Sequence, residues 1–277
     1  MKIIRSYNNN VVLSRNKAGK EVILIGRGIA YGLHKGDDID MMKVQKVFEV
    51  SLIGREKNRY EKIIQEMPVE YVSVADEVIS YIKEHCTKHI NDSIYITMTD
   101  HIATTIDRLK EGIEFDNAML SNVKLLYQEE YQLALQAVEI LRKRFPVRID
   151  DSEANFITLH IVTAEMDANM EQTYMITAIT EEILKVVRKH FDIQEKDNYD
   201  FERFLTHCRF FVHRVINNQL EDKGLANFLL PELQRANGDE PRICVNEIAE
   251  MIEKKYRYKV NDDEKMYLLI YLYRLTK

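Results

Sequence analysis

The sequence predicts a multidomain chain: a small antiparallel β domain followed by two all-α helical-bundle domains. Two observations carry this. Apolar residues alternate with a period near two as far as the KVFEV segment and recur at about 3.6 beyond it. The helical part also repeats itself, with D151-S-E-A-N-F-I-T-L-H-I161 matching D262-D-E-K-M-Y-L-L-I-Y-L272 at an offset of 111 residues. At 277 residues and 45% hydrophobic, the chain is long enough for more than one buried core.

The β part is read in order as KIIRSYN, the triple Asn8-Asn9-Asn10, VVLSR, a turn at NKAGK, EVILIG, RGIAYG and a GDD turn. Four short antiparallel strands fit it. A module of about 55 residues with few large apolar side chains is marginal alone, so sheet-to-sheet dimerisation is expected. In the helical part, Ser73 is placed to cap ADEVISYIKEHCTK, with Asp76 in the capping-box position. A second helix is expected from Thr97 or Thr99, with Gly112 as its C-terminal stop. QEEYQLALQAVEILRKRF ends before Pro146, and Asp150 or Asp151 opens DSEANFITLHIVTAEM. The polar stretch at residues 165–172 reads as a linker, after which the pattern begins again.

Charge is unevenly spread. Residues 1–54 hold nine Lys/Arg against five Asp/Glu, a balance of +4, so with a net charge of −6 the rest of the chain stands at −10. A basic module on an acidic body can meet a polyanion while the body does not. No run of eighteen apolar residues occurs and MKIIRSYNNN lacks the pattern of a signal peptide, so an intracellular, soluble protein is expected. Cys86, Cys208 and Cys244 are odd in number and far apart, which argues against a disulfide framework or a zinc ribbon.

Chemistry-bearing residues divide into two groups. The segment I25-G26-R27-G28-I29-A30-Y31-G32 lacks the spacing of a phosphate-cradling loop. Its glycines are read either as sites of close backbone approach or as the frame for an arginine and an aromatic that stack on unpaired bases. His85 and His89 are four apart but lack the glutamate of a hydrolytic zinc motif, so a helix end is expected there and no metal site. His34, His190 and His213 have no constellation around them in the sequence. His101, His160 and His207 stand out through the repeat: His160 matches Tyr271, Phe156 matches Tyr267, Glu153 matches Glu264, and His207 follows Thr206 in the counterpart of the His101 helix. Each is read as a packed core histidine or as an acceptor of a phosphoryl group, whose charge near −2 would perturb a half-buried interface. Asp100 is a candidate to orient His101. An all-helical phosphotransfer enzyme and a DNA-binding regulator are the competing classes, although no helix-turn-helix pair is evident.

The residues M1-K-I-I-R-S-Y-N-N-N-V, GKEVILIGRGIAYG, GDDID and KVQKVF resemble the co-antiterminator RNA-binding domain of the BglG/SacY/LicT transcriptional antiterminators. The remainder resembles their two phosphotransferase-system regulation domains, most clearly in NDSIYITMTDH and ITLHIVTAE. The resemblance implies domains at residues 1–56, 64–169 and 172–277. It implies a cytoplasmic homodimer, not an enzyme and without cofactor, metal or membrane insertion, that binds a leader-transcript RNA hairpin, blocks a terminator and activates sugar-utilisation genes. RNA contacts map to Arg5, Asn8, Asn10, Gly26, Arg27, Gly28 and Tyr31, with Arg5 where lysine is common and Tyr31 where phenylalanine is. Phosphorylation sites map to His101, His160 and His207; the sugar-specific permease is expected to act on the first regulatory domain and the general phosphocarrier protein on the second. Tyr271 cannot take the phosphohistidine role, so the second domain is expected to keep at most His207 and to respond weakly or not at all to the phosphocarrier.

Overall fold

The computed structural model describes residues 1–49, 54–113, 120, 122–193, 198–219, 224, 226 and 239–276. Val50, which closes the KVFEV segment, and Lys277, the end of the last expected domain, lie outside the described residues. The chain forms two compact units, Met1–Ala168 and Asn169–Lys277.

The first unit opens with an antiparallel sheet of β1 (Arg5–Asn8), β2 (Val11–Arg15), β3 (Glu21–Ile25) and β4 (Lys46–Glu49), arranged in that order. Asn8 Oδ1 accepts from the Asn10 amide at 2.8 Å, which tightens the β1–β2 connection. Asn16 Oδ1 accepts from Ala18 and Lys20 amides and Gly19 adopts φ +80°, which closes the β2–β3 turn. The fourth strand is not RGIAYG but KVFE, which pairs Val22 with Glu49 through Ile25 with Lys46. RGIAYG is a run of turns instead, because Gly28 and Gly32 take φ of +65° and +72°, incompatible with a continuing strand.

Alternation gives the sheet two apolar faces. Val12, Val22 and Leu24 pack under Ile3, Ile29, Ala30 and Ile39 from the module's own loops. Tyr7, Val11, Leu13, Ile23 and Ile25 form the other face, and in the single chain it is covered by Tyr60 and Ile64 of α1 (Gly54–Glu66), with Val72 and Ile96 beyond.

The first bundle comprises α2 (Val69–His85), α3 (Ile94–Lys110), the short α4 (Val123–Leu126), α5 (Gln128–Arg144) and α6 (Glu153–Glu165). The long helices close a ring in which α2 packs on α3, α3 on α6, α6 on α5 and α5 on α2. The second unit repeats the ring with α7 (Met170–His190), α8 (Tyr199–Ile216), α9 (Glu240–Tyr256) and α10 (Asp262–Leu275): α7 on α8, α8 on α10, α10 on α9 and α9 on α7. The sequence repeat is thus a repeat of helix-to-helix connectivity.

Several helix ends differ from the sequence reading. Ser73 lies inside α2 rather than at its cap, because the buried run Tyr71, Val72, Val74 and Ala75 extends the helix back to Pro68, which interrupts the chain after α1. Helix α3 begins at Ile94, earlier than Thr97, with Ile94 and Ile96 buried in its first turn. Gly112 follows its end at φ +74°, as a C-terminal stop does. The linker is shorter than residues 165–172, since Asn169 and Gln172 exchange side-chain and backbone hydrogen bonds in a capping box that starts α7 at Met170.

Candidate functional site

Five of the seven residues singled out on the β module gather around one turn. The Gly26 amide donates to the Asn10 carbonyl at 2.9 Å, and the Gly28 amide donates to Asn10 Oδ1 at 2.7 Å. A Cβ on Gly26 would stand 1.8 Å from the Lys43 carbonyl oxygen, so only glycine allows this backbone approach. Ile29 and Ala30 are buried beneath the turn, and their burial turns Arg27 and Tyr31 outward, Tyr31 to 75% exposure. A cationic fork and an aromatic face therefore stand on a rigid, hydrogen-bonded platform. Beside it, an open cleft of about 320 Å³ has Asn10, Arg27 and Gln45 on one wall and Ser73 and Arg144 on the other.

Arg5 and Asn8 lie apart from that turn, against α1. Arg5 Nη1 reaches the buried Glu61 carboxylate at 3.0 Å and its guanidinium stands 5.3 Å from the Tyr7 ring centre. Asn8 Nδ2 points to the Ile64 carbonyl at 3.5 Å, while its oxygen holds Asn10. Glu61 carries no motif that would single it out in the sequence, and only the docking of α1 on the sheet reveals it.

The first bundle brings two of the histidines together. His101 on α3 and His160 on α6 have ring centres 4.7 Å apart, and His101 lies 5.9 Å from Phe156. Burial, reinforced by the Arg108 cation, pushes the His101 pKa down to about 4. Burial, with His101 as second cause, drives His160 well below its ordinary value. Both rings are therefore neutral at pH 7, each with a free lone pair on one nitrogen, the form that acts as a nucleophile. The expected partner Asp100 is exposed. Glu153, the first residue of α6, faces the ring instead: Oε2 lies 3.9 Å from His101 Nε2 while Oε1 accepts from Arg108 Nη2. Glu153 Oε2 and His160 Nδ1 are buried without a hydrogen bond.

The second bundle builds the same pocket with one imidazole. His207 on α8 stacks on Tyr271 of α10, centres 4.1 Å apart and planes at 19°, with Tyr267 at 6.2 Å. Burial and then the Arg214 cation lower its pKa to about 4, and its Nε2 is buried without a hydrogen bond. Arg214 holds Glu264 through two bonds, Nε to Oε1 at 2.8 Å and Nη2 to Oε2 at 2.7 Å. The Arg–Glu pair was absent from the sequence reading, although a signal existed: Arg108 and Arg214 are offset by 106 residues, as are His101 and His207.

Among the remaining histidines, His85 is exposed at the end of α2 and stacks on Tyr81, whereas the exposed His89 lies four residues beyond that end, so the two do not share a helix face. His190 does have a constellation, contrary to the sequence reading. Its Nδ1 lies 2.5 Å from Glu240 and its Nε2 2.7 Å from Glu247, joining the end of α7 to α9. These carboxylates, Glu240 first, raise its pKa. Fifty or more residues separate the partners, so no local motif announces the cluster.

Residues 1–53 match the CAT RNA binding domain, and residues 76–164 and 181–275 each match the PRD domain. The chain belongs to the CAT–PRD transcription antiterminators. Transcription antiterminator LicT of Bacillus subtilis (strain 168) is 35% identical over 282 residues, covering 100% of this chain and 99% of that protein. The Beta-glucoside operon antiterminator of Dickeya chrysanthemi is 31% identical over 99% of this chain and 96% of its own length. Transcription antiterminator LacT of Lacticaseibacillus casei is 25% identical over 99% and 94%. CAT–PRD antiterminators are RNA-binding transcription regulators, not enzymes. In this antiterminator the Arg27–Tyr31 turn falls in the CAT match, His101 and His160 in the first PRD match, and His207 and Tyr271 in the second. Among its described residues, no helix is long and apolar enough to cross a membrane.

Proposed function

We propose that this chain is a cytoplasmic, homodimeric antiterminator that binds a hairpin in a leader transcript, prevents terminator formation and so activates sugar-utilisation genes. Three domains carry it, residues 1–56 for RNA and residues 64–169 and 172–277 for regulation. Arg5, Asn8, Asn10, Gly26, Arg27, Gly28 and Tyr31 form the RNA face. The observation that supports this reading most directly is the turn fixed by Asn10, which holds Arg27 and Tyr31 outward on a scaffold that only glycine permits at position 26. Guanidinium and phenol planes of this kind stack on unpaired bases, and the backbone contacts make binding salt-dependent.

Regulation is assigned to His101, His160 and His207 as phosphoryl acceptors, the first two served by a sugar-specific permease and the third by the general phosphocarrier protein of the phosphotransferase system. Neutral imidazoles enclosed at helix contacts suit this role: adding a charge near −2 there changes which packing of the helices is favoured. With Tyr271 in the place of a second imidazole, the second domain responds through His207 alone.

A leader-terminator transcription assay with and without the protein tests the reading; unchanged read-through overturns it. Arg27→Ala is expected to weaken hairpin binding in a titration at fixed salt, by about tenfold, while the helical units stay folded. Equal affinity removes Arg27 from the RNA face.

A further inference from the structure

Each bundle carries a four-part arrangement of which the histidine is only one member. On α3, Arg108 follows His101 by seven residues, and on α8, Arg214 follows His207 by seven, two helical turns along one face. On the facing helix, Glu153 and Glu264 precede the matched aromatics Phe156 and Tyr267 by three residues. The second imidazole has become Tyr271, yet the arginine and the glutamate remain in both copies and remain paired. A pair kept where a neighbouring position has changed points to a role shared by His101 and His207.

We propose that Arg108 and Arg214 are positioning residues for the phosphohistidine of their bundle: when His101 or His207 is phosphorylated, the guanidinium leaves Glu153 or Glu264 for the phosphoryl oxygens. The exchange unfastens α3 from α6, or α8 from α10. It rests on the reading that these histidines accept phosphoryl groups.

Charge and geometry favour the exchange. Glu153 Oε2 stands 3.9 Å from His101 Nε2, so a phosphoryl group on that nitrogen arrives beside a carboxylate and repels it. Arg108 is already bound to that carboxylate, so its cation stands beside the new charge. A dianion with three acceptor oxygens outcompetes a monoanion for a planar fork of five donors. The released glutamate is not stranded, because Glu153 and Glu264 both lie in the first turn of their helices, where the helix dipole favours a negative charge.

Phosphoramidate, a small chemical donor, makes the test independent of partner proteins. Its P–N bond breaks as a new P–N bond forms at the imidazole, and the displaced ring proton leaves with ammonia as ammonium. Full-length protein is treated and phosphate is quantified at each histidine by phosphopeptide mapping. Arg214→Gln is expected to lower incorporation at His207 by about tenfold, with partial recovery in Arg214→Lys. Glu264→Gln is expected to raise it, because the guanidinium is then held less firmly. A merely structural ion pair moves both variants in the same direction. The 31P signal of phosphorylated wild type provides a readout that needs no variant: it is expected to titrate at lower pH than in the urea-unfolded chain, since the guanidinium favours the dianion. Label at His207 with both variants shifted alike, or with a 31P titration equal to that of the unfolded chain, overturns the exchange alone. Absence of label at His101, His160 and His207 in folded wild type overturns the phosphorylation reading together with it.

Discussion

The two helical bundles share one ring of helices and one Arg–Glu pair, but they differ in what fills the pocket between the paired helices. In the first, His101 meets His160 at 4.7 Å, so protonation of either ring opposes protonation of the other. In the second, His207 meets the flat face of Tyr271, which brings no second imidazole to the pocket. The ion pairs differ as well: the Arg108 side chain is 9% exposed and that of Arg214 is 28%. A duplicated scaffold has therefore kept its clamp, with two imidazoles in the drier copy and one in the wetter.

Acid provides the largest expected contrast. The folded pKa of His101 and His207 is about 4, below the ordinary 6.5, so the folded state binds fewer protons than the unfolded chain between those values. Their contribution is present above pH 6.5 and is lost as pH falls towards 4, on the order of 3 kcal/mol for each ring. His160 adds to the loss in the first unit alone. His190 works in the opposite sense, because its raised pKa gives stability that is present below pH 6.5 and fades as pH rises through the folded value. Hydrogen exchange followed from pH 7 to pH 4 is expected to show the first unit loosening more steeply than the second; equal slopes would remove the coupled pair as the cause.

Breaking the clamp ranks next. Glu153→Ala leaves Arg108 buried beside the histidines and is expected to cost about 3 kcal/mol in the first unit, although the Ile113 carbonyl still accepts from Arg108. Glu264→Ala exposes Arg214 to more solvent and is expected to cost about 1–2 kcal/mol in the second. Urea unfolding read by exchange in each unit checks the order. The smallest effect is expected from Tyr271→His, which restores the composition of the first pocket in the second. The pKa of the new ring and that of His207 should both fall below the single-ring value, as seen by NMR titration of the ring protons. A His207 titration identical to wild type shows that the two positions do not face one another in solution.

Much of this was legible in the sequence. The change of period at the end of KVFEV marks the passage from strands to helices, and the match of DSEANFITLHI to DDEKMYLLIYL marks the two pockets, because both rest on patterns local to a few helical turns. Helix starts are less legible. Ser73 has the side chain of a cap, but burial of Tyr71 and Val72 carries the helix past it. RGIAYG alternates like a strand, yet two glycines at positive φ turn it into the platform for Arg27 and Tyr31. The partners of the histidines were hidden for a different reason. Glu153 lies 52 residues from His101, and Glu240 lies 50 residues from His190, so only helix packing brings them together. Asp100, adjacent in sequence, points away because consecutive residues on a helix are about 100° apart.

The coverage of the Tyr7, Val11 and Leu13 face by Tyr60 and Ile64 sets the terms for anything else that would sit there. Helix α1 belongs to the same chain as the sheet, so it is present at an effective concentration on the order of millimolar however dilute the protein. A second subunit at micromolar concentration starts about a thousandfold behind, equivalent to about 4 kcal/mol. The Arg5–Glu61 bond adds to that handicap, because it fastens α1 to the first strand of the same sheet. Occupancy of this face is therefore a competition between a tethered helix and untethered partners, and a small change in how firmly α1 is held shifts its outcome at fixed protein concentration.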